Sequence, residues 1–248
     1  MFERLLFKAE KRINVLQIML YTVIITVLLG IVNIFIGGNA LFLVALDSLA
    51  LSYPVVNYVR SMDREELKTR MEQKTLLRRH STELIVFWSI FIAAVIGMAV
   101  VFPFQKDFTS QESFLHSVTG NATHTSSLFK TILLNNIRVL VLTFIISLIS
   151  FSALLFVLFW NASILVYSLS KFTSISAAVS RGVQILPHGL IEIGGYVMAG
   201  IAGSIIAYRV DRWKKFDHRL DGEFIKDVLI LMIGSVLLVV VGAMIEAL

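Results

Sequence analysis

The chain has 248 residues, 57% of them hydrophobic, with a mean hydropathy of +0.82 and a formal net charge of +5. This composition excludes a soluble domain, and the absence of cysteine excludes disulfides, thiol nucleophiles and thiolate metal sites. The modest positive charge does not indicate nucleic acid as a partner. Several apolar runs of about 20 residues can each cross a bilayer core roughly 30 Å thick. The sequence therefore predicts an all-α, polytopic helical membrane protein.

The chain begins with a short basic segment and two predicted spans. Residues 1–12 carry four Lys or Arg, and the apolar run from about residue 14 to 36 is longer than the apolar core of a signal peptide. After a predicted tight turn at 37–39, the second span runs from about 40 to 59 and contains Asp47 near its middle. This carboxylate is either functional or hydrogen-bonded inside the bundle, and we take the second interpretation as the default.

Charged or polar connections separate most of the remaining spans. Residues 60–82 carry seven Lys or Arg and are predicted to form a helical linker. Residues 105–131 are rich in Ser and Thr and contain an acceptor sequence for N-glycosylation at 121–123, which agrees with an outside location. The clear spans in this part of the chain run from about 83 to 104, 135 to 160, 188 to 208 and 227 to 247.

Residues 161–186 are the hardest stretch to interpret, because Lys171 and Arg181 interrupt an apolar sequence. Both cations would need shelter from lipid. The stretch is either a weak span packed inside the bundle or a broken element with an interfacial half. In both cases we predict that it is not one straight, regular, lipid-facing helix.

The distribution of basic residues predicts the topology. Of the 22 Lys and Arg, 17 lie in residues 1–12, 60–82 and 209–226. The positive-inside rule places these three segments in the cytoplasm. Two successive cytoplasmic segments must be separated by an even number of spans. Only three clear spans lie between residues 60–82 and 209–226, so residues 161–186 should also cross the membrane. We therefore expect about seven transmembrane or re-entrant helices in a cell membrane, with the N-terminus in the cytoplasm and the C-terminus outside.

The run from Leu186 to Glu192 carries the most informative polar residues. Pro187 suits the first turn of a helix, where its missing N–H group is not needed. His188 and Glu192 are four residues apart and therefore share one helix face. An ionisable residue inside a span costs roughly 2.5–3.5 kcal/mol on insertion scales, so it usually faces a protein interior or a cavity and has a partner.

The predicted topology brings six polar residues to a similar depth in the outer leaflet: Asn135, Asn136, Arg138, His188, Glu192 and Glu246. We predict that they form one connected cluster, in which Arg138 pairs with Glu192 or Glu246 and His188 acts as a hydrogen-bond bridge. Such a cluster is either a ligand or partner site or a network that locks the helices together, and the sequence leaves both interpretations open.

Several of these residues form a motif pattern along residues 87–248: Asn135 and Asn136 opening a span, then Asn161, then Leu186-Pro187-His188-Gly189 with Glu192, then Ile245-Glu246. In this pattern the chain resembles the stage II sporulation protein M family of integral membrane proteins. It departs from the family at Ala162, and at Ser147 and Ser150, where glycines are usual. We therefore divide the chain into a two-span extension with a charged linker, residues 1–82, and a family-like membrane domain, residues 83–248.

The resemblance implies a bacterial or archaeal membrane protein. The member from sporulating bacteria is similar to a scaffold, because it works with cell-wall hydrolases during engulfment of the forespore. Family members also occur in organisms that make neither spores nor peptidoglycan, so a role in wall remodelling does not carry over directly. The resemblance defines no common biochemical activity.

Three functions are compatible with the sequence. The first, which we favour, is a non-enzymatic scaffold or partner-binding component in envelope or membrane remodelling, because no catalytic motif is present. The second is a transporter or permease subunit that uses a polar intramembrane site. The third is an intramembrane metal-dependent hydrolase, in which His188, Glu192 and Glu246 would share a metal, although the chain lacks His-Glu-x-x-His.

The favoured function carries further expectations about partners. We expect no catalytic residue, no cofactor and no bound metal. The expected partners are the lipid bilayer and either other proteins or further copies of this chain, and we expect no nucleic acid.

Overall fold

Helices account for almost all of the computed structural model, which describes residues 15–68, 80–119, 125–150, 153–172, 174–213 and 222–247. Within these ranges there is no β-strand, so the predicted all-α fold is confirmed. The helices in chain order are α1 (Val15–Phe35), α2 (Ala40–Lys68), α3 (Ser81–Val101), a 3-10 helix (Phe102–Phe104), α4 (Thr109–Thr119), α5 (Thr125–Ile149), α6 (Ala153–Ser170), α7 (Ile175–Trp213) and α8 (Gly222–Glu246).

Seven of the described helices are long and apolar enough to cross a membrane, and α4 is not. This number confirms the predicted count of spans. The predicted cytoplasmic side of the N-terminus remains a prediction. The predicted glycosylation sequence at 121–123 and much of the three basic segments, at 1–14, 69–79 and 214–221, lie outside the described residues.

The predicted fourth span, residues 135–160, is wrong in its bounds. Helix α5 ends at Ile149 and α6 begins at Ala153, so the apolar run contains a turn between two separate crossings. At this turn the Ala153 N–H donates a hydrogen bond of 3.0 Å to the carbonyl of Ser150. Hydropathy measures the length of an apolar run but cannot detect a reversal inside it, since the residues on both sides of the turn remain in hydrocarbon.

The stretch 161–186 is broken, as predicted. Helix α6 ends at Ser170 and α7 begins at Ile175, with a turn between them. The Lys171 ammonium lies 4.6 Å from the centre of the Tyr167 ring, in a cation–π contact. Arg181, in the second turn of α7, donates a hydrogen bond of 3.1 Å to the side chain of Gln184. Both cations therefore lie near a helix end and have polar or aromatic partners.

Helix α1 shows the packing that is typical of a membrane bundle. Its buried residues include Thr22, Thr26, Gly30 and Asn33. Its large apolar residues instead point away from the bundle, where lipid would contact them, at Leu16, Leu20, Ile24 and Leu28. Helix–helix contact in membranes depends on close approach of small residues rather than on hydrophobic burial. Accordingly, a Cβ added at Gly30 would meet Val101 of α3 at 2.5 Å.

Helix α7 organises the second half of the bundle by packing along both α5 and α8. Among the residues whose burial the structure describes, Tyr196 of α7 is the largest fully buried side chain. A Cβ at Gly203 would meet the Phe144 carbonyl of α5 at 2.5 Å, so the backbones of α5 and α7 approach closely there. Helix α6 packs against α7 and against α2 and α3 of the first half.

The α1–α2 turn, residues 102–119 and the α6–α7 turn mark one end of the bundle, which we call the outer end after the predicted topology. Gly37, with φ +70°, makes the α1–α2 turn. Asn33 donates to the Gln105 side chain at 3.1 Å, and Gln105 donates to the Gly38 carbonyl at 2.7 Å. Gln111 of α4 donates to Ser163 of α6 at 3.3 Å. The first two bonds hold the segment before α4 against the α1–α2 turn, and the third holds α4 against α6.

Candidate functional site

A cavity of about 750 Å³ lies between α5, α6, α7 and α8 near the outer end. The α6–α7 turn and α4 also contribute to its wall. Aromatic and aliphatic side chains line most of the rest, and the polar lining residues are His116, Asn135, Asn136, Asn161, Ser168, Lys171, Arg181, Gln184, His188, Glu192 and Glu246. The volume falls in the range of small-molecule and peptide-anchor pockets. Of the six residues in the predicted cluster, five line this one cavity.

The motif around Pro187 lies inside a helix and not at its start. Helix α7 begins at Ile175, so Pro187 is an internal proline, and the prediction that it occupies a first turn is wrong. The sequence before it, from Ile175 to Leu186, is helical although it carries Arg181, because the cation lies at the exposed outer end. Pro187 itself is exposed, whereas His188 and Gly189 both line the cavity.

Glu192 is the carboxylate with the most specific surroundings. Asn136 of α5, only 6% exposed, donates its side-chain N–H to Glu192 Oε1. Asn135 in turn donates to Asn136 Oδ1 at 3.2 Å. The hydrogen bond to Asn136 orients the Glu192 carboxylate toward α5 and uses part of its acceptor capacity.

Gly242 of α8 provides the space that Glu192 occupies. A Cβ at this position would lie 2.4 Å from Glu192 Cγ and 3.1 Å from Oε1. Any larger residue would therefore have to displace the glutamate. Gly242 is a site residue that sequence reasoning missed. Its only sequence signal is its position one helical turn before Glu246.

Glu246 joins the site from the last turn of α8. It lies close enough to Glu192 for the two carboxylates to repel each other, and close enough to Arg181 to be attracted. In the described part of the chain neither glutamate makes an ion pair within 4.0 Å. The two acids therefore share one cavity without a directly bound cation.

The predicted pairing of Arg138 with Glu192 or Glu246 is wrong. Arg138 is two residues after Asn136, which places it about 200° around the helix, since each residue turns by roughly 100°. It is exposed and is not one of the residues that line the cavity. Arg181, which lines the cavity, is instead the cation whose charge acts on Glu246. The sequence could not predict which face of α5 Arg138 occupies relative to the cavity, because the polar residues Asn135, Asn136 and Arg138 point in different directions around the helix.

His188 and Asn161 line the cavity without joining the Asn136–Glu192 bond. The predicted role of His188 as a bridge is not realised among the described residues, where its ring makes no hydrogen bond to either glutamate. Its ring is half-buried. Asn161 Nδ2 donates to the Val157 carbonyl of its own helix at 2.7 Å, so its amide oxygen is left for the cavity.

The described residues contain no group of three His, Cys, Asp or Glu side chains placed to hold a metal ion. His188, Glu192 and Glu246 line one cavity, but their arrangement is not that of a ligand set. The metal-dependent hydrolase therefore has no support in this geometry.

Comparisons with known proteins identify the family of the chain. The chain is 34% identical over 124 residues to an uncharacterized protein of Methanocaldococcus jannaschii, an alignment that covers 48% of this chain and 68% of that protein. No solved structure matches the chain. The family model for stage II sporulation protein M matches residues 84–248, which hold most of α3, all of α4 to α8 and every residue of the cavity wall. The chain therefore belongs to the stage II sporulation protein M family of membrane proteins.

Proposed function

We propose that this protein is a non-enzymatic membrane component that binds a partner protein through the cavity at its outer end, and that this binding serves envelope or membrane remodelling. The observation that carries the proposal is the pair of glutamates, Glu192 and Glu246, in a half-open cavity without an ion-paired cation. Buried carboxylates of this kind need a counter-charge. A Lys or Arg side chain on a membrane segment of the partner would supply it.

The rest of the lining supports a protein segment as the occupant. Aromatic side chains such as Trp160 and Phe172, together with Ile185 and Leu186, offer apolar contacts to a helix or an extended peptide. The amides of Asn135 and Asn161 offer additional hydrogen bonds. A partner that is either another protein or a second copy of this chain would fit the same chemistry.

Photo-crosslinking in cells tests this function. A photoreactive residue at Leu186, which lines the cavity, should give a discrete crosslinked product, and Glu192→Gln and Glu246→Gln should weaken that product together. The matched control is a photoreactive residue at Leu134, which is 47% exposed but lines no part of the cavity. If the product from Leu186 persists unchanged in both glutamine variants, the cavity is not the partner site.

A transporter or permease subunit is the second candidate, and the size of the cavity favours it. A volume of about 750 Å³ accommodates a small molecule, and the wall offers both acidic and basic groups. Flux of organic cations into liposomes that contain the purified chain would distinguish the two functions. Saturable uptake that Glu192→Gln abolishes would support transport, whereas binding without flux would support the partner-binding function.

A further inference from the structure

Pro187 divides α7 into two parts that differ in their packing. In the part after the proline, three side chains that face the bundle are at most 2% exposed, namely Tyr196, Val197 and Ile201. In the part before it, Gly182 alone is buried among those residues from 176 to 186 whose burial the structure describes. Val183, one turn before the proline, is 67% exposed. Residues 175–186, which we call the arm, therefore lie at the edge of the bundle.

The base of the arm is a weak point of the helix. Pro187 lies inside α7 and has no N–H, so the carbonyl of Val183 lacks its usual helical hydrogen bond. Sharp bends in long helices occur mostly at such residues. A Cβ at Gly189, two residues further on, would meet no atom within 4 Å, so tight packing does not hold the backbone there. The arm can therefore bend at Pro187 while the rest of α7 stays packed.

The arm is also one wall of the outer cavity. Four of its residues line the cavity, namely Arg181, Gln184, Ile185 and Leu186. Arg181, His188 and Glu192 follow one another at intervals of seven and four residues, so they share one face of α7. Glu246 lines the same cavity from the last turn of α8. A bend of the arm into the cavity would therefore bring Arg181 closer to Glu246.

Arg181 is the cation of the cavity wall that such a bend would move. The other cation, Lys171, lies in the α6–α7 turn, with its ammonium 4.6 Å from the centre of the Tyr167 ring. Arg181 donates its hydrogen bond to Gln184, which belongs to the arm and would move with it. The charge of Arg181 attracts Glu246, although the two form no ion pair within 4.0 Å in the described structure. Closure of the arm would turn this attraction into a direct ion pair.

We propose that the arm bends at Pro187 to close the cavity, and that Arg181 then pairs with Glu246 and keeps the partner out. This regulation rests on the partner-binding function proposed above. Arg181 carries the same charge as the Lys or Arg that the partner would supply, so the two cations compete for one carboxylate. Without a partner, the closed arm gives Glu246 the counter-charge that a buried carboxylate needs. A partner cation opens the arm because it displaces Arg181.

Distances between two spin labels on the purified full chain test the arm without any partner. The chain has no cysteine, so single cysteines can be introduced at Val179 in the arm and at Leu134 of α5, both of which are exposed. A bend of about 20° at Pro187 moves position 179 by roughly 4 Å, because eight residues of helix separate the two. Arg181→Gln and Glu246→Gln should each shift the mean distance in the same direction. The double variant should shift it no further, since both changes remove one ion pair.

Two controls make the distance measurement specific to a bend at the proline. Labels at Leu190 and Leu134 report on the part of α7 after Pro187, so neither glutamine variant should change their distance. Pro187→Ala restores the missing N–H and should give one narrow distance from Val179, which Arg181→Gln then no longer changes.

The distance from Val179 decides the proposal. An equal distance in wild type, Arg181→Gln and Glu246→Gln, or a shift in only one of the two variants, would overturn the closing arm. Because no partner takes part, that result would leave the partner-binding function intact. A crosslink from Leu186 that ignores both glutamates would instead contradict the partner site, whether or not the arm moves.

Discussion

Asn136 of α5 donates a hydrogen bond to Glu192 of α7, and this single contact joins the two motif segments that are 56 residues apart in the sequence. Asn136 is buried, and Glu192 reaches it across the wall of the cavity. The bond joins α5 to α7, and it also orients one of the two carboxylates that a partner would contact in the cavity.

Removing the Asn136 side chain should destabilise the folded protein. Asn136→Ala leaves the Glu192 carboxylate without its hydrogen bond, which should lower the free energy of unfolding by about 1–3 kcal/mol. Glu192→Gln should cost less, because its amide oxygen can still accept from Asn136. Chemical or thermal unfolding in detergent measures both variants. Equal stability of Asn136→Ala and wild type would show that the bond contributes nothing to folding.

Gly242→Ala should disturb the site by overpacking. The new Cβ would lie 2.4 Å from Glu192 Cγ, so the glutamate or α8 must move, at a cost of about 1–3 kcal/mol. Gly189→Ala is the matched control, since a Cβ there has no neighbour within 4 Å. In the control the higher helix propensity of alanine should stabilise slightly or have no effect. A Gly242→Ala protein as stable as the control would contradict the close contact.

Arg138→Gln should have little effect on stability or on the cavity. The side chain is exposed and makes no ion pair with the glutamates of the described structure, so the expected change is within about 0.5 kcal/mol. Arg181→Gln, by contrast, should strengthen crosslinking from Leu186, because it removes a cation that attracts Glu246 and leaves both glutamates to the cation of the partner. Parallel unfolding and crosslinking measurements separate the two arginines. A large loss of stability in Arg138→Gln alone would restore the pairing predicted from sequence.

The start of α4 should depend on pH through Asp107. Its side chain accepts hydrogen bonds from the Thr109 backbone N–H at 2.9 Å and from the Thr109 hydroxyl at 2.7 Å, and these bonds lower the pKa of Asp107. Because the folded-state pKa is depressed, the stabilisation is present above the unfolded value of about 3.9 and is lost as pH falls through the lower folded value. Asp107→Asn should lack this acid-dependent loss.

A titration of Tm between about pH 6 and pH 2.5 compares wild type with Asp107→Asn. The difference between the two proteins should shrink as pH falls below the usual aspartate range. The effect is expected to be small, because Asp107 is fully exposed to solvent. A constant difference at every pH would show that the carboxylate charge does not matter for this cap.

The predicted orientation can be tested directly, because the chain contains no cysteine. A single cysteine at Ser117 in α4 should react with a membrane-impermeant thiol reagent from outside, and one at Lys214 should react after the membrane is permeabilised. Position 214 lies outside the described residues, and its expected side follows from the basic composition of residues 209–226. Labelling with the sides exchanged would invert the topology and place the cavity at the cytoplasmic face.

The sequence by itself determined the class, the number of spans and the depth of the polar residues. Apolar length identifies a crossing because the hydrocarbon core has a fixed thickness, and the order of spans then assigns Asn136 and Glu192 to the same leaflet. The spacing of His188 and Glu192 also predicted that both would line one side of α7, as they do. These are properties of local composition and helical period, which do not depend on neighbouring helices.

Only the tertiary structure decided the chain reversal after Ile149, the internal position of Pro187 and the face of Arg138. All three depend on how neighbouring helices pack, and in hydrocarbon an apolar sequence does not distinguish a buried face from a lipid-facing one. The same reason explains why Gly242 was missed. Gly242 leaves space for the Glu192 side chain because it has no side chain of its own, and this contact exists only when α7 and α8 pack together. The sequence of a membrane protein predicts how deep a residue lies in the bilayer, whereas the neighbouring helix that the residue contacts depends on how the bundle packs.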